Sequence, residues 1–290
     1  MKLRARLFIA LQHIIPQHFL SKMMWRLTRC EYKWLLKLIL PLFIRQFKVN
    51  MEEAKNSDWK SYTSFNNFFT RELNDNAREI SSVQNTITSP VDGAISQLGK
   101  INADLIFQAK GHAYSLTQLV GDREDLSKTF KNGQFNTIYL SPKDYHRIHM
   151  PVDGTLKEMI HVPGELFSVS PTTVDNVPAL FARNERVICL FDTPAGPMAM
   201  ILVGAIFVGS IETVWHGEVT PPSHKDIRNW KYDEESDNES ITIKKGDEMG
   251  RFNMGSTVIL LYANKHMDWT NELKAESKVQ LGEVIGNIKG

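Results

Sequence analysis

Near the end of this 290-residue chain, Phe252-Asn253-Met254-Gly255-Ser256-Thr257-Val258 sets a glycine directly before a serine and a threonine, ahead of the apolar run Val258 to Leu261. Gly255 has no side chain, so its backbone takes conformations closed to other residues and a nucleophile can approach its carbonyl closely. The Ser256 hydroxyl can fold back onto that carbonyl and convert the amide into an ester. β-Elimination from the ester would leave dehydroalanine, and hydrolysis would leave a pyruvoyl group, a ketone at a new chain end. The chain would then cut itself and make its own cofactor. An isolated Gly-Ser-Thr step also serves as a turn whose hydroxyls cap the backbone, so this reading depends on the rest of the chain.

Three other stretches carry residues suited to chemistry. In Ser89-Pro90-Val91-Asp92-Gly93 a carboxylate sits on a turn, where its plainest use is to satisfy backbone donors. In Tyr139-Leu140-Ser141-Pro142-Lys143-Asp144-Tyr145-His146-Arg147-Ile148-His149 two histidines stand three residues apart and can share one face of a helical turn. That is metal-ligand spacing, but no cysteine or acidic cluster nearby completes a zinc set, so no metal is expected. Free histidines suit proton transfer near neutral pH, and the plain alternative is a pair of surface or core histidines. Gln108-Ala109-Lys110-Gly111-His112-Ala113-Tyr114-Ser115 is a polar loop that either holds an anionic substrate or simply connects two apolar stretches.

The elements that must position these residues fall into two parts. The chain has 34 Lys and Arg against 33 Asp and Glu, but residues 1–48 carry ten of the basic residues and a single acid, Glu31. The segment is therefore +9 and the remainder −8, a basic arm for an anionic partner beside an acidic body. Leu3, Leu7, Leu11, Ile14 and Ile15 recur at helical spacing, and Leu35 to Leu40 form a denser patch that Pro41 should break or kink. The run Leu35 to Ile44 is too short and too charged to span a bilayer, and a secretory signal fits poorly. Helices lying in the membrane interface remain, with Trp25 and Trp34 at a suitable depth. A basic helical hairpin packed on the body is the alternative. A nucleic-acid reader would want a basic domain, and the body is acidic, so no nucleic-acid partner is expected. With only Cys30 and Cys189, no disulfide framework is visible and a reducing compartment fits.

Beyond a polar linker, Phe65, Phe68, Phe69 and Leu73 mark one helical face that Ser64 can cap. From Ile87 onward short apolar runs alternate with Gly and Pro: Ala94 to Leu98, Thr137 to Leu140, Val187 to Phe191, Met198 to Val203, Ala205 to Val208, Ile241 to Ile243 and Val258 to Leu261. This is strand texture. Tyr232 to Ser240 reads as a solvated acidic loop. The expected class is α+β, a mainly β body over residues 49–290 preceded by amphipathic membrane-surface helices over residues 1–48.

Taken together, the motifs resemble those of the bacterial phosphatidylserine decarboxylases, a pyruvoyl-dependent family. The resemblance is carried by Phe68-Phe69-Thr70-Arg71-Glu72-Leu73, Ser89 to Gly93, Lys110-Gly111-His112 with Tyr114-Ser115, Tyr145-His146-Arg147-Ile148-His149-Met150-Pro151, Phe181-Ala182-Arg183-Asn184-Glu185-Arg186 and Gly255-Ser256-Thr257, in family order. Met254 stands where the family usually has Leu, a similarly apolar and unbranched side chain. The resemblance implies that Asp92, His149 and Ser256 form a serine-protease-like triad for self-cleavage between Gly255 and Ser256. His149 would take the Ser256 proton and Asp92 would orient and stabilise the imidazolium. It further implies that the pyruvoyl group made from Ser256 condenses with the amine of phosphatidylserine and serves as an electron sink while CO2 leaves, giving phosphatidylethanolamine. His146 would protonate the resulting carbanion. The family also implies a homodimer of cleaved protomers, peripheral on the cytoplasmic face of the cell membrane, with the long and short chains staying associated.

Two other functions compete. An ordinary Ser-His-Asp hydrolase would use the same three residues on an external ester, but Met254-Gly255-Ser256-Thr257-Val258 lacks the Gly-x-Ser-x-Gly elbow common in such enzymes. A non-catalytic lipid-surface module would use the β-rich body only as a binding face.

Overall fold

The computed structural model describes residues 3–109, 111–207, 210–220, 226–232 and 240–289; Ser256 and residues 3–5 are described by their backbone alone. Most of the acidic stretch Tyr232 to Ser240, and Lys110 of the Lys-Gly-His motif, lie outside the described residues.

The basic arm forms three helices, α1 (Leu3–Ile14), α2 (Gln17–Thr28) and α3 (Lys33–Phe47). Pro41 does not end α3, which runs on to Phe47 and stops at Lys48 with a left-handed φ of 55°. None of the described helices is long and apolar enough to cross a membrane. Many large apolar side chains of the arm stay in solvent, among them Leu11, Ile14, Phe19, Trp34, Leu38 and Leu42. The opposite face of α3 does pack. Leu36 and Leu40 join Tyr62, Phe65, Phe68 and Phe69 in one buried cluster. Those phenylalanines lie on α4 (Phe65–Phe69), whose first turn is capped by the Ser64 hydroxyl accepting from the Asn67 amide at 3.0 Å. Leu73 falls beyond that helix and bridges to Ala54 instead.

The body is mainly β, as the texture from Ile87 onward predicts. Its central strands are β1 (Gly93–Lys100), β2 (Gln134–Leu140), β3 (Arg147–His149), β4 (Gly154–Val162), β5 (Arg186–Thr193), β6 (Gly196–Val203), β7 (Ile211–Thr213), β8 (Gly217–Glu218), β9 (Arg228–Lys231), β10 (Glu248–Phe252), β11 (Ser256–Tyr262) and β12 (Lys278–Val279). A nine-stranded antiparallel sheet has the order β9-β4-β5-β6-β11-β2-β1-β12, with Thr242–Ile243 added beside β4. A second, four-stranded sheet has the order β8-β7-β10-β3. The large sheet is covered on both faces: Ile138, Leu140, Val258 and Leu260 enter one core, while Phe135, Ile201, Ile259 and Leu261 enter another. Two covered faces explain why these strands are continuous apolar runs rather than alternating ones. Val258, Ile259, Leu260 and Leu261 are all fully buried. At roughly 1.5–3 kcal/mol for each such side chain, β11 is held firmly between its neighbours.

Three further expectations fail. Gln108 to Ser115 is not a connecting loop: Leu105–Ala109 and His112–Ser115 pair antiparallel as a hairpin. Ala205 to Phe207 is not a strand but the turn after β6, and Val208 lies outside the described residues. His146 to His149 is not a helical turn. Arg147 to His149 pairs with β10, Glu248 opposite His149 and Arg251 opposite Arg147, so tertiary pairing overrides the helical reading. In extended chain a separation of three puts the two histidines on opposite faces.

Candidate functional site

The two sheets are joined twice at the same place. From β2 the chain leaves the large sheet at Leu140, runs through residues 141–146 and enters the small sheet at Arg147; from β10 it leaves the small sheet at Phe252, runs through Asn253, Met254 and Gly255, and enters the large sheet at Ser256. The crossovers lie side by side: Ser256 is in register with Leu140, and the Phe252 amide donates to the His146 carbonyl at 3.0 Å. The Gly255–Ser256 peptide bond therefore sits at the edge of a buried strand, next to the segment carrying both histidines.

The bond is approached through strained backbone. Met254 has φ of 155°, a region that side-chain-bearing residues rarely occupy and that persists only where surrounding structure enforces it. Its side chain packs against the Leu36, Leu40, Phe65 and Phe69 cluster. Gly255 is under no such constraint: a Cβ there would meet nothing within 4 Å. The fold does not demand glycine at 255, where the space a side chain would fill is open. Beside it lies an apolar cavity of about 200 Å³, bounded by Phe43 and Phe47 of α3, Phe69, Tyr139, Phe207 and the Met254-Gly255 step.

His149 is held in one neutral tautomer. Its Nδ1 lies 2.7 Å from the Gly246 carbonyl, which can only accept, so the proton is on Nδ1 and Nε2 carries the lone pair. The Tyr145 hydroxyl donates to that Nε2 at 3.1 Å. Burial holds the Tyr145 phenol protonated. Burial also lowers the His149 pKa from its ordinary value, against the opposing effect of the Gly246 carbonyl and the Glu248 charge. A base with a lowered pKa stays unprotonated as pH falls through the usual imidazole range near ~6.5. If His149 drives cleavage, the rate of cutting in freshly translated chain holds steady from pH 8 to below about 6.5 and falls only at lower pH. Sampling the fraction cut against time across that range checks this; a rate already halved at pH 7 would contradict it.

His146 is fully buried, with its ring stacked on Phe69 at a centroid distance of 4.1 Å. Its Nε2 donates to the Ser141 carbonyl at 3.1 Å, and Nδ1 is buried without a partner. Burial, then the nearby Arg71 charge, pull its pKa down to about 3. The ring is therefore neutral and resists protonation in these surroundings, and it can give a proton only after it has taken one.

The hydrogen bonds of Asp92 go to partners other than His149. Its carboxylate is clamped by Arg78, Nε to Oδ1 at 2.9 Å and Nη2 to Oδ2 at 2.6 Å, and accepts the Leu281 amide at 2.9 Å. It lines a polar cavity of about 240 Å³ together with Arg71, Asp144 and Tyr145, the residue that bonds to His149. In the intact chain the orienting partner of His149 is a carbonyl, that of Gly246, where a carboxylate was expected. The sequence shows Tyr145 only as part of a motif, and it gives no sign of Arg78 or Gly246 as partners. A left-handed φ of 87° at Gly246, in Lys245-Gly246-Asp247, marks a turn, but nothing in residue type shows which way its carbonyl points. Among the described residues no three His, Cys, Asp or Glu side chains gather to hold a metal ion.

Comparison with known proteins adds an independent line. The sequence profile described as phosphatidylserine decarboxylase matches residues 65–287, and a second profile, described as PSD, matches residues 7–48. The phosphatidylserine decarboxylase proenzyme of Pseudoalteromonas atlantica is 51% identical over 280 residues, covering 97% of each chain. That of Nitrosococcus oceani is 52% identical over 287 residues, covering 99% of this chain and 93% of its own.

Proposed function

This chain belongs to the phosphatidylserine decarboxylase family, and from that premise we propose that it is a self-processing, pyruvoyl-dependent enzyme converting phosphatidylserine to phosphatidylethanolamine at a membrane surface. The single observation that carries the reading is the Met254-Gly255-Ser256 step: strained at 254, open at 255, at the edge of a buried strand and beside His146. In the first reaction His149 Nε2, once Tyr145 swings away, takes the Ser256 hydroxyl proton as the oxygen attacks the Gly255 carbonyl. The Gly255–Ser256 C–N bond breaks as the ester forms. Elimination then frees Gly255 as a carboxylate and leaves dehydroalanine at 256, which hydrolyses with loss of ammonia to the pyruvoyl group. Gly246 keeps the tautomer, and the Asp92 charge in the cavity shared with Tyr145 favours the imidazolium.

The pyruvoyl group supplies an electron sink for the electron pair that the departing carboxylate leaves behind. The protein's own part is binding and proton traffic. Once cleavage and bound substrate have changed its surroundings, His146 Nδ1 takes a proton from the substrate ammonium and returns it to the substrate carbon after CO2 has gone. The apolar cavity beside Gly255, bounded by two phenylalanines of the arm, gives a lipid a path from the membrane. The exposed apolar face and basic charge of α1 to α3 hold the enzyme on anionic lipid as a peripheral protein, on the cytoplasmic face of the bacterial membrane. The two cleaved chains stay together because β11 remains wedged between β2 and β6, and processed protomers pair as a homodimer.

The test is decarboxylation of phosphatidylserine in vesicles by the purified protein. Formation of phosphatidylethanolamine and CO2, lost after treatment with a carbonyl-trapping reagent, is the expected result. Turnover that survives the trap would rule out a ketone cofactor.

A further inference from the structure

We propose that Asn253 is a positioning residue for self-cleavage, held in place from the membrane arm through Arg29, Glu218 and Ser210. The inference rests on the self-cleavage reading above.

A backbone strained at Met254 needs a clamp on each side. Downstream the clamp is β11 in the large sheet. Upstream it is Asn253, only 1% exposed and tied by three bonds. Its amide donates to the Ser210 carbonyl at 2.9 Å, its Oδ1 accepts from Asn66 of α4 at 3.1 Å, and its Nδ2 donates to the Ser210 hydroxyl. That hydroxyl donates in turn to Glu218 at 2.9 Å and accepts from Arg29 at 3.1 Å, so its proton and both lone pairs are used.

Arg29 directly follows α2 and also forms an ion pair with Glu218. The pair is seated against the arm: Arg29 lies over the Trp25 ring at 4.6 Å, and the Trp25 Nε1 donates to Glu218 at 3.3 Å. Asn66 of α4 and Met254 itself bring a second line from the arm, because α4 packs on Leu36 and Leu40 of α3. Residue 29 and residue 253 are thus joined through one serine hydroxyl, two residues upstream of the bond to be cut. A network of this kind acts as a unit, so loss of any member loosens the whole. Loosening of a near-attack geometry lowers rate far more than it lowers stability.

The experiment follows the appearance of the two cleaved chains in freshly translated full-length protein. Arg29→Gln, at a partly exposed site away from the scissile bond, is expected to slow cutting about tenfold with an unchanged melting temperature of the uncut chain, and Arg29→Lys to restore most of the rate. Asn253→Leu, which keeps the size but removes the two side-chain bonds, slows it more. The double variant cuts no slower than Asn253→Leu alone, because both act through the same hydroxyl. Cutting of Arg29→Gln at the unmodified rate, or multiplicative effects in the double variant, would overturn the inference while leaving self-cleavage standing. An unmodified chain that never cuts would overturn both.

Discussion

Ser256→Ala yields one uncut chain of 290 residues and no decarboxylation above background, a loss of more than about 10⁴-fold, because it removes the nucleophile and the atoms of the cofactor together. The substitution is small and sits at the first residue of β11, whose backbone pairs with β2 and β6 on either side. The variant therefore folds, and its melting temperature, which reports the strand, should stay close to that of the uncut unmodified chain. Loss of cutting with a preserved melt separates chemistry from folding. Retained cutting at the same bond would mean that Ser256 is not the nucleophile. Membrane binding should survive, since the arm helices α1 to α3 do not include residue 256; binding without turnover identifies the arm as the anchor and the crossover as the reactive centre.

The second large effect divides the histidines. His149→Ala is expected to remain uncut, because it removes the imidazole whose Nδ1 is held by the Gly246 carbonyl and whose Nε2 lone pair, covered by Tyr145 in the intact chain, is the base. Loss of a general base costs about 10²–10⁴-fold, enough to hold the proenzyme through a normal expression period. His146→Ala should be cut and then decarboxylate poorly, by a similar factor, because its bare Nδ1 serves only the second reaction. The ring also fills space against Phe69, so His146→Gln is the companion variant that limits the cavity left behind. Gel analysis of cutting and a vesicle assay of turnover, run on both variants, read the two steps separately. Normal turnover by His146→Ala would remove its assigned part. Cutting of His149→Ala at the unmodified rate would remove the base.

Much of the body was legible because burial on both faces leaves long apolar runs. Val187 to Phe191, Met198 to Val203 and Val258 to Leu261 are strands, and each lies in the middle of the large sheet. The Ser64 cap and the Phe65, Phe68, Phe69 face were readable from local spacing alone. The histidine pair was misread for the opposite reason. Its geometry comes from pairing with β10, about a hundred positions away in sequence, and spacing of three says nothing about such a partner. The acceptor at His149 is a backbone carbonyl, which no residue type advertises, and the clamp on Asp92 comes from Arg78 in an unremarkable polar stretch. The coupling of Arg29 to Asn253 was equally hidden, since the arm reads from sequence as a lipid anchor and only the fold brings its second helix to the crossover.

The intact mass of the purified protein under denaturing conditions tests the central claim most directly. The account predicts two chains, residues 1–255 and a short chain of 35 residues from position 256 onward, the latter lighter than its serine form by the difference between serine and a pyruvoyl group. One chain of 33.2 kDa from a preparation that turns over phosphatidylserine would contradict it, since that activity would then need no cut and no ketone made from Ser256.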